Sequence, residues 1–169
     1  MEKKSNQEKT VELVALLHSV KNIGYWLESH SRLALDLVKQ GADVNAQNKW
    51  GFTLLMHASF GDDPDMVDSL LDVDGIDVNL KNKWGTTALM IASNLDRLEI
   101  VKLLIMVDGI DVRGQNNLGY TALKSASNFD VEILIKEKLK ELESKEVENY
   151  SDEIRLNLSN PALLQGLTL

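Results

Sequence analysis

The sequence predicts an all-α repeat fold, a solenoid of stacked helix-turn-helix units with protruding hairpin-like loops. Two observations predict it. A Gly-x-Asp-Val segment and a Gly-x-Thr-x-Leu segment each occur three times, and the second places Gly51, Gly85 and Gly119 at steps of 34 residues, from 51 to 85 to 119. After each glycine the apolar residues follow a helical period. A fixed period of this size is typical of stacked repeats, in which each unit buries its apolar face against its neighbours.

Length and composition are those of one folded domain. The chain has 169 residues, of which 44% are hydrophobic and 26% charged. Its formal net charge of −8 argues against nucleic acid and anionic membrane as partners. The absence of cysteine excludes disulfides and thiolate chemistry. The polar N-terminus and the absence of a long apolar run predict a soluble, cytoplasmic protein.

Residues 1–40 are expected to form an N-terminal capping pair of helices. Two groups of apolar residues with steps of three and four predict the helices, and Gly41 follows the second where a left-handed residue is favoured. Tyr25 and Trp26 lie in the connection, either folded over the open end of the stack or available for binding. The apolar residues are Val11, Leu13, Val14, Leu16 and Leu17 in the first helix, and Leu33, Leu35, Leu37 and Val38 in the second.

Residues 41–129 are predicted to hold the repeats, each composed of a loop, a helix, a turn and a second helix. Glycine, aspartate and asparagine in the first part are typical of turns. In the helical part, a Leu and an Ala three residues apart lie on one face, as in Leu55 and Ala58. An Ala-Ser pair follows this leucine in every unit and predicts close stacking of the first helices; the pairs are at 58–59, 92–93 and 126–127.

The C-terminal part is predicted to close the stack. Residues 130–147 have one apolar stripe and a charged remainder, as expected of a terminal capping helix. Residues 148–169 are predicted to be an acidic connector followed by a Leu-rich tail. The tail at 154–169 could dock on the end of the solenoid, remain flexible, oligomerise, bind a partner or signal export.

No catalytic or metal-binding motif is recognisable. His18, His30 and His57 lack the spacing of metal ligands and are expected to be structural or surface residues. The acidic segment at 72–77 lacks the glycine and glutamate positions of a calcium loop. No histidine recurs beside the repeated serines. We therefore expect no enzyme activity, no cofactor and no metal.

The repeated Gly, Thr, Leu and Ala positions resemble those of the ankyrin repeats, whose pattern is Gly-x-Thr-Pro-Leu-His-x-Ala-Ala followed by Ile-Val-x-x-Leu-Leu. The resemblance covers about residues 30–137 and implies an ankyrin solenoid. Two positions depart from the pattern in all three repeats, since the proline is replaced at 54, 88 and 122 and the histidine at 56, 90 and 124. We therefore expect the helix-start and loop-bridging hydrogen bonds of the pattern to be absent. The matching residues are Gly51, Thr53, Leu55, Ala58, Val67, Leu70 and Leu71; Gly85, Thr87, Leu89, Ala92, Ile100, Val101, Leu103 and Leu104; and Gly119, Thr121, Leu123 and Ala126.

The resemblance also implies a protein-binding site on the concave face and the loop tips. Large aromatic side chains there are typical of interface hot spots. For Trp50 and Trp84, which lie in identical Asn-Lys-Trp-Gly segments, the alternative is that the two indoles stack on each other and stiffen the solenoid. The predicted partner-binding residues are Lys49, Trp50, Phe52, Phe60, Lys83, Trp84, Asn94, Leu95, Leu118, Tyr120 and Phe129.

The function predicted from these features is a non-catalytic, monomeric protein-interaction module, an adaptor or inhibitor that binds a partner protein. Within this class, the alternatives are a bacterial effector delivered into a host cell and an immunity-type inhibitor of a partner enzyme. A different alternative is a structural solenoid that self-associates through its Leu-rich tail. The aspartates between residues 62 and 77 are interpreted as a solvated outer helix, with docking of a basic partner as the alternative.

Overall fold

The computed structural model describes residues 4–19 and 28–158, which form helices joined by turns and loops without β-strands. The apolar residues at helical spacing account for each helix, so the all-α repeat prediction is confirmed. The helices in the described part of the chain are α1 (Asn6–Ser19), α2 (Glu28–Lys39), α3 (Leu54–Gly61), α4 (Pro64–Leu71), α5 (Ala88–Asn94), α6 (Leu98–Ile105), α7 (Ala122–Ser125) and α8 (Phe129–Leu158).

The helices pack as successive pairs in two rows. Helix α1 packs on α2, α3 on α4, α5 on α6 and α7 on α8. The short helices α3, α5 and α7 form the inner row, and α2, α4, α6 and α8 form the outer row. Leu55, Leu89, Ala58 and Ala92 are almost completely buried between the rows, as the repeated Leu and Ala positions predict. The core is therefore continuous through the stack.

The inner helices begin at a repeated threonine cap. Thr53, Thr87 and Thr121 have extended backbone, and each side-chain oxygen accepts a hydrogen bond from the backbone N–H three residues later, at 3.2 to 3.3 Å. This satisfies a donor that the first turn of a helix leaves without an intrahelical partner. The expectation that the helix-start hydrogen bonds are absent is wrong, because the threonine supplies them without the proline.

The first, second and third loops, at residues 40–53, 72–87 and 106–121, lead into the inner helices, and a repeated asparagine closes each of them. The Asn48 side-chain oxygen accepts hydrogen bonds from the N–H groups of Trp50 and Phe52, both at 3.0 Å. Asn82 and Asn116 repeat this arrangement one and two units later. Each loop thus closes on its own asparagine, and neighbouring loops are joined by groups other than the histidine of the pattern, such as the Asn45 amide that donates to the Gly75 carbonyl oxygen.

Backbone hydrogen bonds connect neighbouring loops and keep them in register. The N–H of Lys83 donates to the carbonyl oxygen of Trp50, and the N–H of Asn117 donates to that of Trp84, each at 3.0 Å. At Gly51 the chain has a φ of +81°, and a Cβ there would lie 2.9 Å from the Asn82 Cα. The close approach of adjacent loops therefore requires glycine at this position.

The predicted Ala-Ser ladder holds in two repeats and changes in the third. Ser59 and Ser93 are fully buried, and each hydroxyl donates to the carbonyl oxygen four residues earlier. In the third repeat α7 ends at Ser125, before the corresponding pair. Ser127 is exposed and donates to the carbonyl oxygen of Asn94 and to the Asp96 carboxylate. Its hydroxyl therefore connects the third repeat to the second.

The N-terminal helices match their prediction where the structure describes them. Leu13 and Leu17 of α1 are fully buried, and Gly41 after α2 has a φ of +102°. The side chain of Asn48 donates to the carbonyl oxygen of Leu17, which ties α1 to the first loop. Tyr25 and Trp26 lie outside the described residues.

Helix α8 differs from the predicted boundaries. Val131 and Ile135 are fully buried against the preceding helices, which agrees with a capping role. The helix does not end at residue 147, however, and runs to Leu158 through the segment interpreted as an acidic connector. Pairs of opposite charge one turn apart, such as Lys145 with Glu141 at 2.6 Å, support a continuous helix. The tail after Leu158 lies outside the described residues.

Candidate protein-binding groove

An open groove of about 330 Å³ lies between the second loop and the inner helices. Its walls come from three successive repeats, so the stack itself creates it. Five of the residues predicted from sequence line it, namely Phe52, Phe60, Trp84, Asn94 and Leu95. The remaining lining residues are Asn82, Thr86, Met90, Ile91, Asn116 and Ser125.

Trp84 forms the loop side of the groove. Its side chain is 54% exposed, and its ring meets that of Phe52 edge-on with centroids 5.9 Å apart. The Asn82 side chain holds the loop by accepting from the Trp84 N–H at 2.9 Å. Phe52 is only 8% exposed, so it forms the floor of the groove. An indole held in this way presents apolar surface with little conformational freedom.

Phe60, Asn94 and Leu95 lie where the inner helices end. Phe60 is in the last turn of α3 and is half-buried, while Asn94 is the exposed last residue of α5. Leu95 caps α5 through its N–H, which donates to the carbonyl oxygen of Ile91 at 3.1 Å. The fold therefore brings together three of the predicted side chains, an aromatic, an amide and an aliphatic one, from two repeats.

Trp50 and Lys49 lie outside this groove. The Trp50 ring is half-buried and lies 6.0 Å from the His18 ring, and the Lys49 ammonium lies 4.2 Å from the Trp50 ring centroid. His18 Nε2 accepts a hydrogen bond from the Lys49 N–H at 2.8 Å. Since Trp84 contacts Phe52 instead, the two indoles have different ring partners and do not form the mutual stack considered above.

The other predicted residues are exposed but do not line the groove. Lys83 precedes Trp84 on the second loop, and Leu118 and Tyr120 occupy the third loop. Phe129 is the first residue of α8 and is 72% exposed. These side chains could extend a contact beyond the groove.

The groove is electrically neutral along its lining. Its polar side chains are three asparagines, a threonine and a serine, and none is ionisable. Sequence reasoning missed Met90 and Ile91, whose place on the inner face of α5 follows from their position after Thr87. Asn82 and Asn116 could have been found from their recurrence at steps of 34 residues, from 48 to 82 to 116.

No ionisable group of the groove region suggests catalysis. Burial lowers the pKa of His57 from 6.5 to about 4. It lies beside Phe52 and Asn48, with 3.4 Å between its Nε2 and the Asn48 Nδ2, and is 1% exposed. A substrate cannot reach it there. Among residues 4–19 and 28–158 no group of three His, Cys, Asp or Glu side chains could hold a metal ion.

Comparison with known protein families identifies the fold. A family model described as ankyrin repeats in three copies matches residues 7–116 and also residues 58–148. The chain belongs to the ankyrin-repeat family. The match begins within α1, so the ankyrin likeness reaches further toward the N-terminus than the 30–137 stretch recognised from sequence. No match was found among curated proteins.

Ankyrin repeats are generally non-catalytic modules of protein–protein interaction. The described helices include none that is both long and apolar enough to span a membrane. The ankyrin scaffold gives each repeat the same framework, and the side chains placed on it differ between proteins.

Proposed function

We propose that this chain is a protein-binding module that captures one segment of a partner protein in the groove beside Trp84. The observation that carries the proposal is the half-exposed indole, supported by buried Phe52 and facing a neutral groove. Tryptophans in such positions are enriched among interface hot spots. A water-exposed indole is also apolar surface that a partner can cover with a gain in free energy.

The size of the groove supports a short contact segment. A volume of about 330 Å³ is at the lower end of the range for small-ligand sites, so a few side chains fill it. The amides of Asn82, Asn94 and Asn116 lie along the lining and suit hydrogen bonding to a peptide backbone. An extended segment with one large apolar side chain meets both requirements.

The test compares two matched tryptophans by affinity capture from the native cell. Trp84→Ala removes the groove wall, and we expect about 30-fold weaker partner binding, which corresponds to about 2 kcal/mol. Trp50→Ala is the control, because it removes the same side chain from the equivalent loop position outside the groove. The captured protein is identified by mass spectrometry, and its affinity for each variant is measured by calorimetry.

The two variants also separate binding from folding. Both lose an aromatic contact, so urea denaturation should show a comparable loss of stability of about 1 kcal/mol in each. A partner that binds Trp84→Ala as tightly as the unmodified chain would contradict the proposed site. Loss of binding in Trp50→Ala alone, with that variant still folded, would contradict it as well.

A further inference from the structure

Lys83 stands at the edge of the groove without a charged partner. It lies between Asn82 and Trp84, both of which line the groove, and its side chain is exposed. The backbone of Lys83 is held on both sides, since its N–H donates to the Trp50 carbonyl oxygen and its own carbonyl oxygen accepts from Asn117. Its ammonium forms no ion pair with any described residue. The backbone position of Lys83 is therefore fixed, and its ammonium group is available to pair with a carboxylate of a bound partner.

Lys124 supplies a second such charge from the inner row. On α7 it occupies the position that Met90 has on α5, and it directly precedes Ser125, another lining residue. The first two repeats carry buried methionines here, Met56 and Met90, whereas Lys124 is exposed. No described residue forms an ion pair with it. The position that holds a buried methionine in the first two repeats therefore holds an exposed cation in the third, next to the groove.

Two carboxylates near the opposite end of the inner helices are already engaged. Asp62 pairs with Arg97 at 3.0 Å, and Asp96 accepts from the Ser127 hydroxyl at 3.0 Å. Both aspartates lie in the turns that follow α3 and α5, away from the threonine caps near which Lys83 and Lys124 lie. In a chain of net charge −8, the loop side of the groove therefore carries unpaired positive charge.

We propose that the segment bound in the groove combines one large apolar side chain with a neighbouring aspartate or glutamate. The apolar side chain packs on Trp84 and Leu95, and the carboxylate pairs with Lys83 and Lys124. This inference rests on the proposed function and specifies the chemistry of the partner. Charge complementarity selects this occupant, because a basic segment would face two lysines that have no ion-pair partner among the described residues.

The two parts of the segment contribute differently. Burial of the apolar side chain supplies most of the affinity, because the groove lining has no charge to compensate for a buried ion. The lysines act at the exposed rim, where charge pairs fix orientation, raise the association rate and weaken as salt is added. Binding should therefore depend on Trp84 at every ionic strength and on the lysines mainly at low salt.

The test selects random-sequence peptides displayed on phage against the immobilised full chain. We expect the enriched peptides to carry Leu, Phe, Met or Trp close to Asp or Glu. Their affinity is then measured by fluorescence anisotropy against Trp84→Ala, the double variant Lys83→Glu with Lys124→Glu, and Lys102→Glu. The last is the control, because it reverses the charge of an exposed lysine on the outer helix α6.

The expected result is that Trp84→Ala weakens binding about 30-fold and that the double charge reversal weakens it about tenfold at low salt. Lys102→Glu should leave the affinity unchanged. A repeated selection on the double variant should replace Asp and Glu in the enriched peptides by Lys and Arg. Circular dichroism checks that the variants fold, which is expected because both substituted lysines are exposed.

The outcomes distinguish this inference from the proposed function. Peptides that need Trp84 but lack acidic enrichment, or that bind the charge-reversed chain equally well, overturn the inference and leave the groove as the binding site. Selected peptides that bind Trp84→Ala as well as the unmodified chain contradict the groove itself, and so does a selection that enriches none.

Discussion

The buried imidazole of His57 should make this fold sensitive to mildly acidic pH. Burial lowers the pKa of His57 from 6.5 to about 4. Between these two pH values the unfolded chain binds a proton at this residue and the folded chain does not. The contribution of the neutral His57 side chain to the free energy of unfolding is therefore complete above about pH 6.5. It decreases as the pH falls and stops changing below about pH 4.

The magnitude follows from the difference between the two pKa values. At about 1.4 kcal/mol per tenfold change in proton affinity, the gap from 6.5 to about 4 limits the total loss to about 3 kcal/mol. Near pH 5 most of the unfolded chains but few of the folded ones are protonated, and the expected loss is about 2 kcal/mol. This is a large fraction of the stability of a small domain.

The assay is urea denaturation at pH 7 and near pH 5, applied to the unmodified chain and to His57→Ile. Isoleucine is the matched replacement because Ile91 occupies the same position in the next repeat. The free energy of unfolding of the unmodified chain should fall by about 2 kcal/mol more than that of the variant. His18, His30 and the carboxylates are common to both proteins, so their contributions cancel in the comparison.

An equal pH dependence in the two proteins would refute the reasoning. It would mean that His57 is protonated in the folded state or is already shielded in the unfolded state. Two carboxyl groups, those of Glu8 and Glu141, have a pKa that is lowered in the folded chain. Hydrogen bonds to Ser5 lower the pKa of Glu8, and Lys145 and Lys138 lower that of Glu141, so these groups lose their effect only in stronger acid.

Two further predictions concern the loops and the assembly. Gly75→Ala should lower the free energy of unfolding by about 1 kcal/mol through its positive φ alone, since nothing lies within 4 Å of the added Cβ. Gly51→Ala should lower it by at least about 2 kcal/mol more, because its Cβ would lie 2.9 Å from the Asn82 Cα. Urea denaturation at pH 7 measures both, and equal losses would contradict the close approach of the loops. Light scattering of the full chain should give a monomer mass of 18.9 kDa, because a net charge of −8 opposes association. A dimer mass would favour self-association instead, and Val147→Glu with Tyr150→Glu would then show whether the exposed face of α8 is responsible.

The repeat order was predictable because its causes are local. Glycine, threonine and leucine at fixed steps specify a loop, a capped helix start and a buried face within each unit, and stacking follows because no unit can bury that face alone. The hydrogen bonds of Thr53 and Asn48 were not predicted, because the expectation rested on the replaced proline and histidine of the pattern. Both residues recur in register in the sequence, so the signal was present.

Helix α8 shows that acidic composition alone does not identify a connector. The acidic composition of residues 148–153 indicated a solvated linker, and the helix runs through it. Charged side chains of both signs one turn apart stabilise a solvent-exposed helix, so the same composition fits either structure. Composition alone did not distinguish them.

The sequence by itself determined the stacked repeats and a short set of candidate contact residues, whereas only the tertiary structure decided which of those form one site. Trp50 and Trp84 lie in identical Asn-Lys-Trp-Gly segments, and no local rule separates them. Their environments differ because each loop packs on the preceding unit. For Trp50 that unit is α1, which supplies His18, and for Trp84 it is the first loop, which supplies Phe52 and with it the floor of the groove.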